Sequence, residues 1–237
     1  MRAAAALLLS LGRPHDGLVQ ACLTPPLRRG TVSLPHAERV RAGLCRRAAR
    51  ATSLLGALLL FAGAVLAGRA LYLRGKAELA ALLIRKAYDE TLRTDRETPP
   101  WPWADTFPVG RLVVPGLSRE WVVLEGTSPR NLAFGPTRSM SGARLGQPGN
   151  VIVAGHRTAE FRSLERLQRG DTLRLAWPVR GGERLRDYRV AALAVVSPDD
   201  TGWLQPTDGD ALTLVTCYPF GASPTSPLRY VVRALPR

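Results

Sequence analysis

Cys217 and His156 are the two side chains in this sequence best placed to share a reaction. Each closes an apolar run with the composition of a β-strand, ALTLVTC for residues 211–217 and NVIVAGH for residues 150–156. A residue at a strand's end is fixed by the sheet yet open to a groove beside it. A cysteine thiolate attacks acyl carbon, and an imidazole can then donate a proton to the departing amine. The adduct carries an oxyanion, which a permanently charged guanidinium stabilises. Arg229, 12 residues after Cys217 at the head of the run LRYVVRAL, is the candidate for that task. Arg233, on the same run, is expected to be a bystander that tolerates alanine. Taken singly these residues decide nothing. A cysteine ending an apolar run is more often an inert buried thiol, a histidine after glycine is an ordinary loop residue, and arginine is abundant here. It is their conjunction that points to nucleophilic acyl transfer.

The compartment sharpens the point. Residues 51–68, ATSLLGALLLFAGAVLAG, run for 18 positions without a charge, Arg69 interrupts, and residues 70–73 resume. At about 1.5 Å per residue the uncharged run spans roughly 27 Å, close to the hydrocarbon thickness of a bilayer. Arg46, Arg47 and Arg50 precede it, so the positive-inside rule places the N-terminus in the cytoplasm and residues 75–237 outside. The expected location is the inner (plasma) membrane, single-pass. Of three cysteines and three histidines, only Cys217 and His156 lie beyond the span; Cys22, Cys45, His15 and His36 lie before it. With no CxxC and such wide spacing, a disulfide framework or zinc site is not expected, and Cys217 should be a free thiol.

The net charge of +14 follows the same division. Residues 1–75 hold 11 Lys and Arg against 2 Asp and Glu, and residues 76–237 hold 22 against 17. The basic excess belongs to the membrane-proximal part, and nothing marks a basic face interleaved with aromatics, so no nucleic-acid partner is expected. Residues 1–50 read as a basic cytoplasmic tail without order, an upstream start codon being the alternative. Residues 51–73 read as a transmembrane helix. Residues 74–104 read as a helical stalk, its pattern stopped by Pro99 and Pro100, followed by a Pro/Trp connector.

From residue 105 the texture changes to short β-like runs between Gly/Pro turns: 111–114, 120–125, 150–155, 171–176, 188–196, 211–217 and 229–235. Short helices are expected near 129–134 and 161–167. Seven or eight strands without a βαβ rhythm predict a mostly β domain, largely antiparallel and closed into a barrel or sandwich.

These residues also carry a family resemblance. The segment TLVTC (213–217) resembles the TLxTC signature of sortases. NVIVAGHR (150–157) after GQPGN resembles their histidine segment, and PLRYVVRA (227–234) the segment bearing their arginine. The tail LVTCYPF followed by PLRYVV is most similar to sortases of Gram-negative bacteria, the class GN group near class D. The resemblance implies an eight-stranded sortase-type β-barrel preceded by one transmembrane helix. It implies that Cys217 forms a thioacyl intermediate with a C-terminal LPxTG-like sorting signal of a secreted protein. His156 would then protonate the leaving amine, Arg229 hold the oxyanion, and an amine acceptor take the acyl group. Thr216, before the nucleophile, is expected to help hold the substrate backbone. No cofactor or metal is implied. Two positions depart from the pattern. Thr158 follows Arg157 where relatives carry Asp, leaving any role of that Asp missing or passed to Glu160, and Gly221 stands where Asp is expected.

Two other readings stay open at this point. One is an L,D-transpeptidase-like thiol acyltransferase, although TLVTC lacks the Ser/His-Gly pattern before that family's cysteine. The other is a weak or inactive barrel serving in surface assembly. The charge bias generates a direct test of topology. A membrane-impermeant thiol reagent on intact spheroplasts should label Cys217 and spare Cys22 and Cys45. Labelling confined to the two early cysteines would reverse the orientation.

Overall fold

The computed structural model of the chain describes residues 36–221 and 227–237. The expectation of a tail without order therefore lies, for residues 1–35, outside the described residues; from His36 the backbone is helical. One helix, α1 (His36–Thr94), runs for 59 residues, without a break where span and stalk were expected to meet. The chain divides into two compact units, residues 1–71 and 72–237.

In the first unit the apolar stretch buries nothing. Leu60 is 78% and Phe61 69% exposed. Exposed apolar surface in water is unfavourable by about 25 cal/mol per Å², so these side chains call for an apolar surrounding. Among the described residues this is the one helix long and apolar enough to cross a membrane, by length and composition.

In the second unit α1 ends and the barrel begins. Ile84, Ala87, Tyr88 and Thr91 are buried, a stripe at the i, i+3, i+4, i+7 spacing of a helix packed on one side. The helix stops where Asp95 takes a left-handed conformation (φ 60°). The Asp95 amide donates to the Thr91 carbonyl at 3.0 Å, and Pro99 and Pro100 follow. Tyr88, 2% exposed, donates its hydroxyl to Glu183 Oε1 at 2.5 Å. Arg111 grips the same carboxylate twice, at 2.9 and 2.5 Å, and reaches Glu120 at 2.8 Å.

Eight strands form a closed barrel in the order β1-β2-β3-β4-β7-β8-β6-β5. They are β1 (Pro108–Val114), β2 (Arg119–Glu125), β3 (Thr137–Arg138), β4 (Asn150–Ala154), β5 (Thr172–Val179), β6 (Gly182–Val196), β7 (Ala211–Cys217) and β8 (Arg229–Pro236). All seven expected runs are strands, with ends moved by a few residues. The eighth, β3, is two residues long. Its Thr137 pairs with Leu124 and Ala154, and its Arg138 forms a buried ion pair with Glu125. Pairing is antiparallel except at β2–β3 and β4–β7. Leu112, Val123, Val151, Val153, Leu173, Leu175, Leu212, Leu214 and Val232 fill the interior. At the end of the barrel near β7's start, Arg186 pairs with Asp210, which also accepts the Gly149 amide at 3.1 Å. The two expected short helices are α2 (Pro129–Leu132), capped by Ser128, and a 3₁₀ segment, Glu160–Arg166.

The Glu183 cluster yields a pH prediction. Burial alone would raise the Glu183 carboxyl, but hydrogen bonds from Arg111 and Tyr88 outweigh it and hold it below its ordinary 4.5. A carboxylate lowered in the folded state contributes stability in full above its unfolded value and loses it as pH falls through the folded one. Denaturant-measured stability of wild type should therefore drop below about pH 4.5. Glu183→Gln should lower stability at neutral pH by about 1.5–3 kcal/mol and flatten that acid limb. An unchanged acid limb in Glu183→Gln would remove the carboxylate from this role.

Candidate active site at the ends of β4, β7 and β8

The three chemistry-bearing residues meet because of strand register. In β4–β7 the parallel partners run from Asn150–Ala211 to Ala154–Val215. The alignment persists beyond β4, since the Gly155 amide donates to the Val215 carbonyl at 3.1 Å. Two residues past Ala154 is His156, and two past Val215 is Cys217. On the other side of β7, Cys217 is the antiparallel partner of Arg229. Neighbouring strands lie about 4.8 Å apart, so His156, Cys217 and Arg229 share one level on three adjacent strands.

Alternation along β7 sets which way each residue points. Leu212 and Leu214 belong to the core, so Thr216 continues the inward register and Cys217 takes the outward one, with Val215 and Thr213. Cys217 is a free, half-buried cysteine. His156 is exposed. Its carbonyl accepts the Phe161 amide at 3.0 Å, which turns the chain into the 3₁₀ segment. Arg229 donates to the Pro227 carbonyl at 2.7 Å and the Leu228 carbonyl at 3.2 Å. It makes no ion pair with a carboxylate among the described residues. No cluster of side chains suited to a metal ion occurs among the described residues.

Local packing explains two neighbours. A Cβ at Gly155 would meet the Phe161 ring at 2.8 Å, and Phe161 is fully buried. Only glycine lets β4 pass beneath that ring and deliver His156 above it. Thr216 is 3% exposed, and its hydroxyl donates to the Gly155 carbonyl at 2.7 Å. That bond ties the strand carrying the thiol to the strand carrying the imidazole and uses the hydroxyl's one proton.

Below the inward end of this level, Tyr218, Phe220 and Tyr230 pack ring to ring, at centroid distances of 5.0–6.3 Å. Arg157, 7% exposed, donates to the Pro219 carbonyl at 3.1 Å. It joins the segment after His156 to the segment after Cys217. Sequence reading assigned Arg157 no role. The one sign of it was arginine following histidine in NVIVAGHR, which says nothing of a partner 62 residues away. Glu160 does not take over a bond to the imidazole; its Oε2 is buried without a hydrogen-bond partner among the described residues. Gly221 has open space about its Cα, so packing does not require glycine there.

The sequence profile of the Sortase domain matches residues 112–237, more than half of the chain and all of β7 and β8. The chain belongs to the sortase family. It is 31% identical over 124 residues to Sortase D of Bacillus subtilis (strain 168), covering 52% of this chain and 61% of that one. To Sortase A of Bacillus anthracis it is 28% identical over 113 residues, 46% of this chain and 51% of that one. The sortase thus spans between half and three-fifths of the length of these curated relatives. A Sortase D5 transpeptidase from Clostridium perfringens shares the fold, with a TM-score of 0.55 at 21% identity over 68% of this chain and 99% of that one. The expected eight-stranded sortase barrel and the likeness to class D are both found, and the L,D-transpeptidase alternative falls away with family membership.

The Thr216–Gly155 tie makes a measurable demand on this sortase. Thr216→Val keeps the shape but leaves the Gly155 carbonyl without this donor, at a cost of about 1–3 kcal/mol in unfolding free energy. Thr216→Ser should recover most of it. Equal stability of all three proteins would show that the hydroxyl bond does not hold the strand ends together.

Proposed function

We propose that this sortase is a membrane-anchored cysteine transpeptidase that cleaves a C-terminal LPxTG-like sorting signal and passes the acyl chain to an amine. The observation that carries the reading is the shared level of His156, Cys217 and Arg229 on β4, β7 and β8. In this mechanism the Cys217 thiolate attacks the scissile carbonyl carbon and forms a C–S bond. The oxyanion of the tetrahedral adduct lies against the Arg229 guanidinium, which among the described residues is bonded to backbone carbonyls. The C–N bond breaks as His156 donates a proton to the departing amine, leaving a thioacyl enzyme. An incoming amine attacks the thioester, His156 takes its proton, and the thiolate is released. Thr216 acts by holding the strand ends in register.

The exposed apolar stretch of α1 supports the anchor, and the Arg46/Arg47/Arg50 cluster supports an N-in orientation with the barrel outside the inner membrane. The partners are then a secreted protein bearing the sorting signal and an amine acceptor at the cell surface.

Variants separate these roles. Cleavage of a sorting peptide should vanish in Cys217→Ala and nearly vanish in His156→Ala. Arg229→Ala should lose about 10²–10³ in rate, and Arg229→Lys, which keeps charge without the planar fork, should fall well short of wild type. Turnover retained in Cys217→Ala would end the transpeptidase reading. A wild-type thiol inert to iodoacetamide at neutral pH would favour an inactive barrel instead.

A further inference from the structure

The outward faces of β4, β7 and β8 form a stepped surface below the active-site level. One step down lie Ala154, Val215 and Val231, all apolar. The next step pairs Thr213 with Arg233, and there side chains of the sheet reach Trp203 and Gln205 in residues 197–210, the connection between β6 and β7. Each step is two residues along a strand, so Arg233 sits about 13 Å from the level of Cys217 and Arg229.

Two carbonyls of that connection are held by side chains of the sheet. Trp203, in the 3₁₀ turn Thr201–Leu204, accepts at its backbone oxygen from Arg233 Nη2 at 2.6 Å and from Asn150 Nδ2 at 3.1 Å. Asn150 also donates to the Gln205 carbonyl at 3.0 Å, and its Oδ1 accepts the Thr213 hydroxyl at 2.6 Å. The Arg233 guanidinium lies over the Trp203 ring, 5.6 Å from its centroid. Arg233 makes no ion pair among the described residues, and its Nε is buried without a hydrogen-bond partner among them. Burial pushes the guanidinium down from its ordinary value, though it stays charged at any physiological pH. A cation held partly out of water on one carbonyl and one ring is costly unless that carbonyl and ring are what it secures. Arg233, expected to tolerate alanine, is bonded to the connection between β6 and β7.

We propose that Arg233 is a positioning residue for substrate, acting through Trp203 to hold the β6–β7 connection as the fixed end wall of the groove leading to Cys217. This rests on the transpeptidase reading of the groove. About 13 Å of floor accommodates roughly four extended residues. A wall at that distance therefore meets the peptide residue furthest from the cleaved bond and takes no part in the bond changes at Cys217.

The test uses the full chain in detergent micelles, with Arg233→Ala, Arg233→Lys and, because a β8 variant can compromise folding, Trp203→Ala in the turn itself. Hydrogen exchange of residues 201–205 should speed up in Arg233→Ala. KM for a sorting peptide should rise about tenfold or more while kcat stays within about twofold and iodoacetamide labels Cys217 as in wild type. Arg233→Lys, which keeps a donor for the carbonyl, should recover part of the KM, and Trp203→Ala should raise KM in the same way. Exchange of 201–205 unchanged by Arg233→Ala overturns the proposal, as does a fall in kcat at constant KM, which would place Arg233 at the reacting atoms. Wild type that cleaves no sorting peptide, with 201–205 freed in Arg233→Ala, sinks the transpeptidase reading alone and leaves the clasp standing.

Discussion

The parallel pairing of β4 with β7 is the constraint on which the rest of this sortase depends. Side chains alternate across a strand, so a slip of one residue between Ala154 and Val215 would turn the thiol inward and the Thr216 hydroxyl outward. Parallel ladders also lack the tight hairpin that fixes an antiparallel register. Here the register is set by burial on both faces. Val151, Val153, Leu212 and Leu214 point into the core, and Ile152 and Thr213 on the other face are buried as well. Any other register would expose one set and place Thr213 away from Asn150, leaving two buried polar groups unpaired.

Closing the barrel makes that register rigid. The two-residue strand β3 is too short to hold by its ladder alone, and the Arg138–Glu125 ion pair supplements it beside β4. At the opposite end Asp210, paired with Arg186, also accepts the amide of Gly149, the residue before β4. Both ends of β4 are therefore fixed by contacts outside the β4–β7 ladder. The last turns of α1 brace the other side through Tyr88 and the Glu183–Arg111 pair.

Much of this was legible in the residues, and for a physical reason. Strands covered on both faces read as continuous apolar runs, so NVIVA and ALTLV stood out along with the histidine and cysteine that close them. The adjacency of those two runs was not legible, because no local signal marks a parallel pairing between segments about sixty residues apart; only the family resemblance suggested it. Strand β3 was missed since Thr137–Arg138 has no periodicity to detect and depends on a carboxylate in β2. The bond from Arg233 to Trp203 was not legible because its partner is a backbone carbonyl in a connection whose path only the fold defines. Glycine before histidine gave no hint of the Phe161 ring that requires it.

The arginines of the barrel divide by what they are bonded to, and the division follows function. Arg111, Arg138, Arg174 and Arg186 each meet a carboxylate, which cancels most of their field at a distance and leaves them as struts. Arg229 and Arg233, on the outward face of β8, meet backbone carbonyls. A carbonyl orients a guanidinium without neutralising it. At Arg229 that leaves a positive charge on the strand that pairs with the one carrying Cys217, where the proposed acyl adduct would develop its negative oxygen. At Arg233 the charge meets a ring and a carbonyl of one turn, the contact on which the proposed end wall rests. On these proposals one strand sets both limits of the groove, four residues apart, and the sheet that positions the thiol also sets the length of peptide that can lie beside it.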